Sequence, residues 1–368
     1  MAQPAERIPV SILTGFLGAG KSTLLNRLLR DPDMRDTAVI INEFGEVGID
    51  HLLVESSGDA MVELSNGCLC CTVRGELTDT LVSLREGLSS GRIKALRRVV
   101  IETTGLADPA PVIQSIIGAT EIARDYAVDG VITLVDAVNG LSTLDNHREA
   151  RRQVAMADRL VLTKKTLADP AALEPLAARL RALNPFASLV DGDTPEAARY
   201  AMLCCGLYDP ATKIADVSRW LHDEADHDHH HHDHGHDHHH HNHDESIRSF
   251  SIIHDRPIEP AAIGMFVDLL RSAHAEKLLR MKAVVQLADD PDRPLVLHGV
   301  QAVFHQPERL AAWPDPTDRR TRMVLITRDL PAEFVRNLFD AFTGTPRVDQ
   351  ADRQALEDNP LAIPGMRF

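Results

Sequence analysis

At 368 residues, with 44% hydrophobic and 25% charged side chains, the chain is long enough for two ordinary globular domains, each with its own core. Aromatic residues are only 4%, so Leu, Ile, Val and Ala must fill those cores. The formal net charge of -15 argues against nucleic acid or an anionic membrane as partner, because phosphates favour basic surfaces, and it leaves cations as fitting ligands.

The opening "MAQPAERIPV" lacks a basic stretch followed by a long apolar one, and no apolar run reaches the roughly 18 residues of a membrane span. The expected compartment is therefore the cytosol. From residue 8 onward, apolar strand-like runs alternate with helical patterns. "IPVSILT" reads as a strand and "KSTLLNRLLR" as a helix; "TAVIIN" is the next strand, and "GELTDTLVSLREGL" is amphipathic at helical spacing. "RRVVIETT", "GVITLVDA", "DRLVLTK" and "ASLVDG" continue the series. Continuous apolar strands interleaved with helices predict an α/β domain whose mostly parallel sheet is covered on both faces. Within "DPAALEPLAARLRALNP", Pro175 is expected to start the main helix or kink it.

This first domain is expected over 1–221. The next segment, 222–246, holds 13 of the 19 His, 12 of them between His227 and His243, with no hydrophobic side chain in that run. Such a run cannot build a core and reads as a disordered linker or surface loop. A smaller α+β domain is expected over 247–343: a strand ("IRSFSIIHD"), a helix ("PAAIGMFVDLLRSA"), several strands and a last helix ("PAEFVRNLFDAF"). That order suits a sheet carrying helices on one face. A polar tail, 344–368, follows.

Two motifs carry chemistry. "GFLGAGKST" follows a predicted strand and opens a predicted helix, the context that a P-loop requires. Its Gly15, Gly18 and Gly20 let backbone N–H groups curl around phosphate oxygens, and the helix N-terminus adds partial positive charge. Lys21 should reach the β- and γ-phosphates, and the Ser22 hydroxyl should ligate Mg²⁺. Downstream, "VVIETTG" places Glu102 at a strand's end, where a carboxylate can hold Mg²⁺ directly or through water. Gly105, three residues later, can bring its amide close to a γ-phosphate. The second motif is "LSNGCLCCTV", which crowds Cys68, Cys70 and Cys71 into four positions of a chain with only 5 Cys. In a reducing compartment such thiols are metal-binding or catalytic sooner than bridged, and C-x-C-C is not the redox C-x-x-C spacing. Three thiolates leave one tetrahedral position open, which suits metal transfer more than a fixed structural knob.

"TGFLGAGKSTLLNRLL", "INEFGEVGID", "LSNGCLCCTVRGEL" and "IETTGLADP", in this order, resemble the CobW family of P-loop GTPases, which are metallochaperones. The His-rich segment and "TDRRTRMVLITRDL" resemble the C-terminal part of that family. The resemblance implies that residues 18 to 23, from Gly18 through Ala19, Gly20, Lys21 and Ser22 to Thr23, bind the phosphates and Mg²⁺ of GTP. It implies a first switch loop from Asn42 to Asp50, with Glu43 as base or metal ligand, and a second switch with Glu102 and Gly105. It assigns Cys68, Cys70 and Cys71 to the transported metal, zinc or alternatively cobalt, delivered to a client metalloprotein. The family reads guanine with [NT]-K-x-D. Here the stretch is Thr163, Lys164, Lys165 and then Thr166 where Asp is expected, with Asp169 three residues late. GTP preference is thus implied by the resemblance and weakened by this departure.

The His run reads as a metal-collecting antenna or a solvated spacer. Cys204 and Cys205 read as core residues in a helical pattern, Asp136 as a structural strand end, and the scattered His as surface or satisfied groups. Two rival functions remain: a non-enzymatic metal buffer that binds nucleotide without turning it over, and a P-loop kinase, which the absence of a recognisable acceptor pocket disfavours.

Overall fold

The computed structural model describes residues 7–42, 61–64, 73–205, 247–305 and 307–344. Its first body runs β1 (Ile8–Gly15), α1 (Lys21–Leu28), β2 (Thr37–Asn42), β3 (Met61–Leu64), α2 (Val73–Ser89), β4 (Arg98–Glu102), α3 (Ala110–Gly118) and α4 (Thr120–Asp125). It continues with β5 (Tyr126–Asp136), α5 (Gly140–Asn146), α6 (Arg148–Ala155), β6 (Arg159–Thr163), α7 (Pro170–Leu183) and β7 (Ser188–Asp191). The strands form one seven-stranded sheet in the order β3-β2-β4-β1-β5-β6-β7, every neighbouring pair parallel.

Burial on both faces explains the uninterrupted apolar runs. Leu24, Leu25 and Leu28 of α1 pack on Leu13, Val39, Val100 and Ile132. On the opposite face Leu77, Leu81, Ile113 and Ile116 pack on Ile12, Ile40 and Ile101. Leu144, Val154, Leu176 and Leu180 of α5 to α7 cover Val135, Leu160 and Leu162. In α7 one of the two expectations for Pro175, a helix start, needs correction. The helix starts at Pro170, with the Asp169 side chain accepting from the Ala171 amide as N-cap, and Pro175 lies inside it. Pro170 at the first helical position already has the backbone angle the helix needs, so the start falls there.

The second body comprises β8 (Ile247–His254), α8 (Pro260–Ala273), β9 (Leu278–Val285), β10 (Leu295–Val300), β11 (Val303–Phe304), β12 (Glu308–Arg309), β13 (Thr321–Arg328) and α9 (Ala332–Thr343). Its antiparallel sheet has the order β11-β10-β9-β13-β8, with β12 beside β10. Phe266 and Leu270 of α8 and Val335 and Phe339 of α9 cover one face, over Met281, Ala283, Met323 and Leu325. The boundary expected at 221/222, the His-rich segment and the tail lie outside the described residues.

The other face of this sheet packs on the first body. Leu279 and Ile326 meet Ala155, and Val300 joins the apolar cluster under α3. Between these contacts sits a buried ion cluster. Asp158, 4% exposed, accepts from Arg280 and, at 2.8 Å, from Lys282 Nζ. Its second oxygen accepts from the Val131 amide at 2.9 Å, and Arg280 also donates to the Met156 carbonyl. Burial disfavours the Asp158 charge, but Arg280 and Lys282 outweigh it and hold the carboxyl below the usual range. His298 nearby is half-buried, and its shielded Nε2 has no hydrogen-bond partner among the described residues, so this one of the scattered His is neither a surface group nor fully satisfied. Burial, then Lys282, Arg280 and His305, push its pKa well below the ordinary imidazole value.

Cys205 is buried and Cys204 half-buried, after a short 3-10 turn rather than within a longer helix. Arg98 anchors this segment, donating to Asp129 at 2.6 Å and to the Leu203 carbonyl at 3.2 Å. Among the described residues no helix is long and apolar enough to cross a membrane.

Candidate nucleotide site

Parallel strands deliver their C-terminal ends to one edge of a sheet, and the predicted nucleotide residues collect there. β1 ends at Gly15 and the chain turns sharply before α1. Gly18 (φ 75°) and Gly20 (φ 89°) take left-handed backbone angles that side chains resist, and a Cβ on Gly18 would meet nothing within 4 Å. The loop is closed by the Ala19 amide donating to the Phe16 carbonyl at 3.1 Å. Lys21 folds back over it, with Nζ 3.0 Å from the Gly15 carbonyl oxygen and 3.4 Å from that of Phe16. Thr23 is exposed in the first turn of α1.

Glu102 ends β4, directly beside β1, and is only 5% exposed. The Ser22 hydroxyl donates to its Oε1 at 3.0 Å. This hydroxyl and carboxylate, side by side under the phosphate loop, are the hard oxygen donors that Mg²⁺ prefers, so the residues present fit that ion. The next residues are fixed tightly. Thr103 Oγ1 donates to Thr14 Oγ1 at 2.7 Å. Gly105 lies against the phosphate loop itself: a Cβ there would stand 2.6 Å from Leu17 Cδ2 and 2.7 Å from the Leu17 amide nitrogen. From α6, Gln153 Nε2 donates to the carbonyls of Gly105 (3.1 Å) and Ala107 (3.0 Å).

β6 supplies the other flank. Thr163 Oγ1 donates to the Ala19 carbonyl at 2.8 Å, and Lys164 Nζ donates to the Gly18 carbonyl at 2.7 Å. Lys164 Nζ also bonds Asp136 Oδ2 at 2.9 Å, so Asp136 belongs to the site as the group that positions this lysine. Burial opposes ionisation of Asp136, yet the hydrogen bonds from Lys164, Asn139 and the Val138 amide prevail and hold its carboxyl below the usual range. Thr166 brings no carboxylate to this loop, and Asp169 is occupied as the α7 cap. Asp193, past the end of β7, accepts from the amides of Lys164 and Thr166, each at 3.1 Å.

Gly15, Gly18, Ala19, Gly20, Lys21, Ser22, Thr23, Glu102, Gly105, Thr163 and Lys164 therefore share one edge. Sequence reasoning passed over Gln153 and Asp193; the Asp193 signal was its place in a "DGD" turn at a strand end. Glu43, Cys68, Cys70 and Cys71 lie outside the described residues. Among the described residues no group of three or more His, Cys, Asp or Glu is arranged to hold a metal.

β3 is parallel to β2, so it ends at Leu64 on the same edge as Asn42 and Glu102. Two strand spacings, about 10 Å, separate β3 from β4.

Comparison with known proteins agrees with this geometry. Residues 9–191 match the CobW/HypB/UreG nucleotide-binding domain, and residues 247–343 match the cobalamin synthesis protein cobW C-terminal domain. The chain is 34% identical over 333 residues to the zinc chaperone YjiA of Escherichia coli K12, covering 90% of this chain and 98% of that protein. It is 30% identical over 352 residues to the zinc chaperone CobW of a Sinorhizobium species, covering 87% and 92%. The crystal structure of Zn(II)-bound YjiA GTPase from E. coli superposes with a TM-score of 0.64 at 30% identity, covering 92% of this chain and 99% of that one. Both halves, in their order and over nearly their whole length, place this chain in the CobW family of P-loop GTPases.

Proposed function

We propose that this protein is a GTP-hydrolysing metallochaperone of the cytosol that carries zinc at Cys68, Cys70 and Cys71 and releases it to a client metalloprotein under nucleotide control. The observation that carries the reading is the shared edge: β3 ends there, four residues before Cys68, two strands from β4 with its Glu102 and three from β1, which leads into the phosphate loop. The relatives' names support zinc as the cargo; cobalt is the alternative that three thiolates would also accept.

In this reading the amides of the Gly18 to Thr23 loop and the N-terminus of α1 hold the β- and γ-phosphates. Lys21 exchanges its two loop carbonyls for phosphate oxygens. Ser22 and Glu102 would hold Mg²⁺, which when bound neutralises charge on the β- and γ-oxygens. Gly105 offers its amide to the γ-phosphate, and Gln153 keeps that loop in place. Thr163 and Lys164 line the base side. Glu43 serves as base or metal ligand in the first switch.

Structural zinc sites hold metal with about 10–16 kcal/mol of apparent free energy, so a carrier needs a device that loosens its grip. Moving a two-state site from 1:99 to 99:1 takes about 5.5 kcal/mol of differential binding. Ordering of switch segments by the γ-phosphate supplies such a bias, with assembly in the GTP state and release after hydrolysis. The imidazoles of His227 to His243 collect metal for the thiols.

Single-turnover hydrolysis of GTP with zinc and Mg²⁺ present tests the reading. A chaperone of this kind converts the bound nucleotide to GDP. A metal buffer that binds nucleotide only for stability leaves it intact, and that result would refute the proposal.

A further inference from the structure

Guanine differs from adenine on one edge. It presents two donors, N1–H and the C2 amino group, where adenine presents an acceptor and a C–H. A carboxylate reads that edge with two charge-assisted bonds, about twice as strong as neutral ones. Thr166, at the position where the family's motif has Asp, cannot make both, and Asp169 is spent on the Ala171 amide. The remaining carboxylates near this loop are Asp136, Asp191 and Asp193. Asp136 is paired with Lys164 at 2.9 Å and Asp191 with Lys165 at 2.5 Å.

Asp193 differs from both. It is exposed, it has no cation within salt-bridge distance among the described residues, and it reaches the base-side loop from the neighbouring strand. Its Oδ1 and Oδ2 each accept one backbone amide, from Lys164 and Thr166, at 3.1 Å. A carboxylate oxygen has two acceptor sites, so each keeps one for a ligand. The two amides fix the orientation of the carboxylate, and the loop they belong to is tied to the phosphate loop by Thr163 and Lys164. A nucleotide whose phosphates lie on Gly18 to Ser22 must extend its base along this same loop.

We propose that Asp193 is the guanine-reading carboxylate of this chain, replacing from the β7 loop the Asp that is missing at Thr166. The inference rests on the GTPase reading and deepens it, since it names the group that makes the triphosphate site guanine-selective.

The test is nucleotide affinity of the full chain for GTP, ITP, XTP and ATP with Mg²⁺, in the wild type, Asp193→Asn, and Asp193→Asn combined with Thr166→Asp. Inosine lacks the C2 amino group, and xanthine carries a carbonyl there that an amide donor can pair with. The wild type should prefer GTP over ITP, and ITP over ATP. Asp193→Asn should lose about tenfold or more for GTP and gain about tenfold or more for XTP. Adding Thr166→Asp should restore GTP preference, which also shows that the loop still folds. If Asp193→Asn weakens GTP, ITP and XTP equally, Asp193 only braces the loop and the proposal fails. Unchanged affinities also overturn it. A wild type that hydrolyses GTP without preferring it over ATP sinks this inference alone, whereas a wild type that hydrolyses no GTP sinks the functional reading as well.

Discussion

Gly105→Ala probes the joint between the phosphate loop and the strand that ends in Glu102. The added Cβ would stand 2.6 Å from Leu17 Cδ2, 2.7 Å from the Leu17 amide nitrogen and 2.8 Å from Leu17 Cα. The Leu17 side chain can rotate away, but its backbone is part of the loop that cradles phosphate. Restoring an ordinary carbon contact requires the two loops to separate by about 1 Å. On the opposite side, Gln153 bonds the Gly105 and Ala107 carbonyls, so the 105–107 segment cannot move without losing those bonds. The phosphate loop should therefore absorb most of the shift. A misplacement of about 1 Å costs about a hundredfold in rate. We expect single-turnover GTP hydrolysis to fall by about that factor while GDP affinity falls less, because GDP keeps its contacts to a loop that shifts as a body, whereas the γ-phosphate must also span the widened gap to residue 105. Hydrolysis at the wild-type rate, or an equal loss of GDP and GTP binding, would refute the assignment of Gly105 to the γ-phosphate.

Asp158→Ala strands Arg280 and Lys282 inside the domain interface, and removal of one partner from a buried ion cluster costs about 3–5 kcal/mol; denaturant unfolding that moves by under about 1 kcal/mol would contradict the clamp. His298 titrates below the ordinary imidazole value, so as pH falls through about 6.5 the unfolded chain takes up a proton that the folded chain refuses. Stability should then decline by about 1.4 kcal/mol per pH unit until the folded pKa is reached, and His298→Leu should remove that component; parallel pH profiles for the two proteins would count against it. Deleting 227–243 should lower the number of zinc ions bound at saturation without changing single-turnover hydrolysis, and an unchanged zinc count would mean that the histidines are a spacer.

The phosphate site was legible because phosphate geometry constrains a short, contiguous stretch: glycines, a lysine and a hydroxyl at fixed spacing after a strand. The sheet was legible for a similar reason, since strands buried on both faces must be apolar throughout. What escaped was set by long-range packing. β3 is four residues long, and nothing local marks it as the strand beside β2. Gln153 touches Gly105 across 48 positions and Arg280 touches Asp158 across 122. Arg280 and Lys282 alternate with apolar residues in β9, the pattern of a solvated face, yet that face is buried because a carboxylate from the other domain meets it. Pro175 left a helix start or a kink open, and the start falls instead at Pro170, where the Asp169 cap satisfies the same requirement earlier.

The measurement closest to the central claim is zinc affinity of the full chain, by competition with a chromophoric chelator, in GDP and in a non-hydrolysable GTP analogue. Coupling between the triphosphate and the thiols predicts binding about ten- to a hundredfold tighter with the analogue, within the range of ordinary allosteric coupling, and loss of that difference in Cys70→Ser. Equal affinities in the two nucleotide states would contradict a nucleotide-controlled carrier.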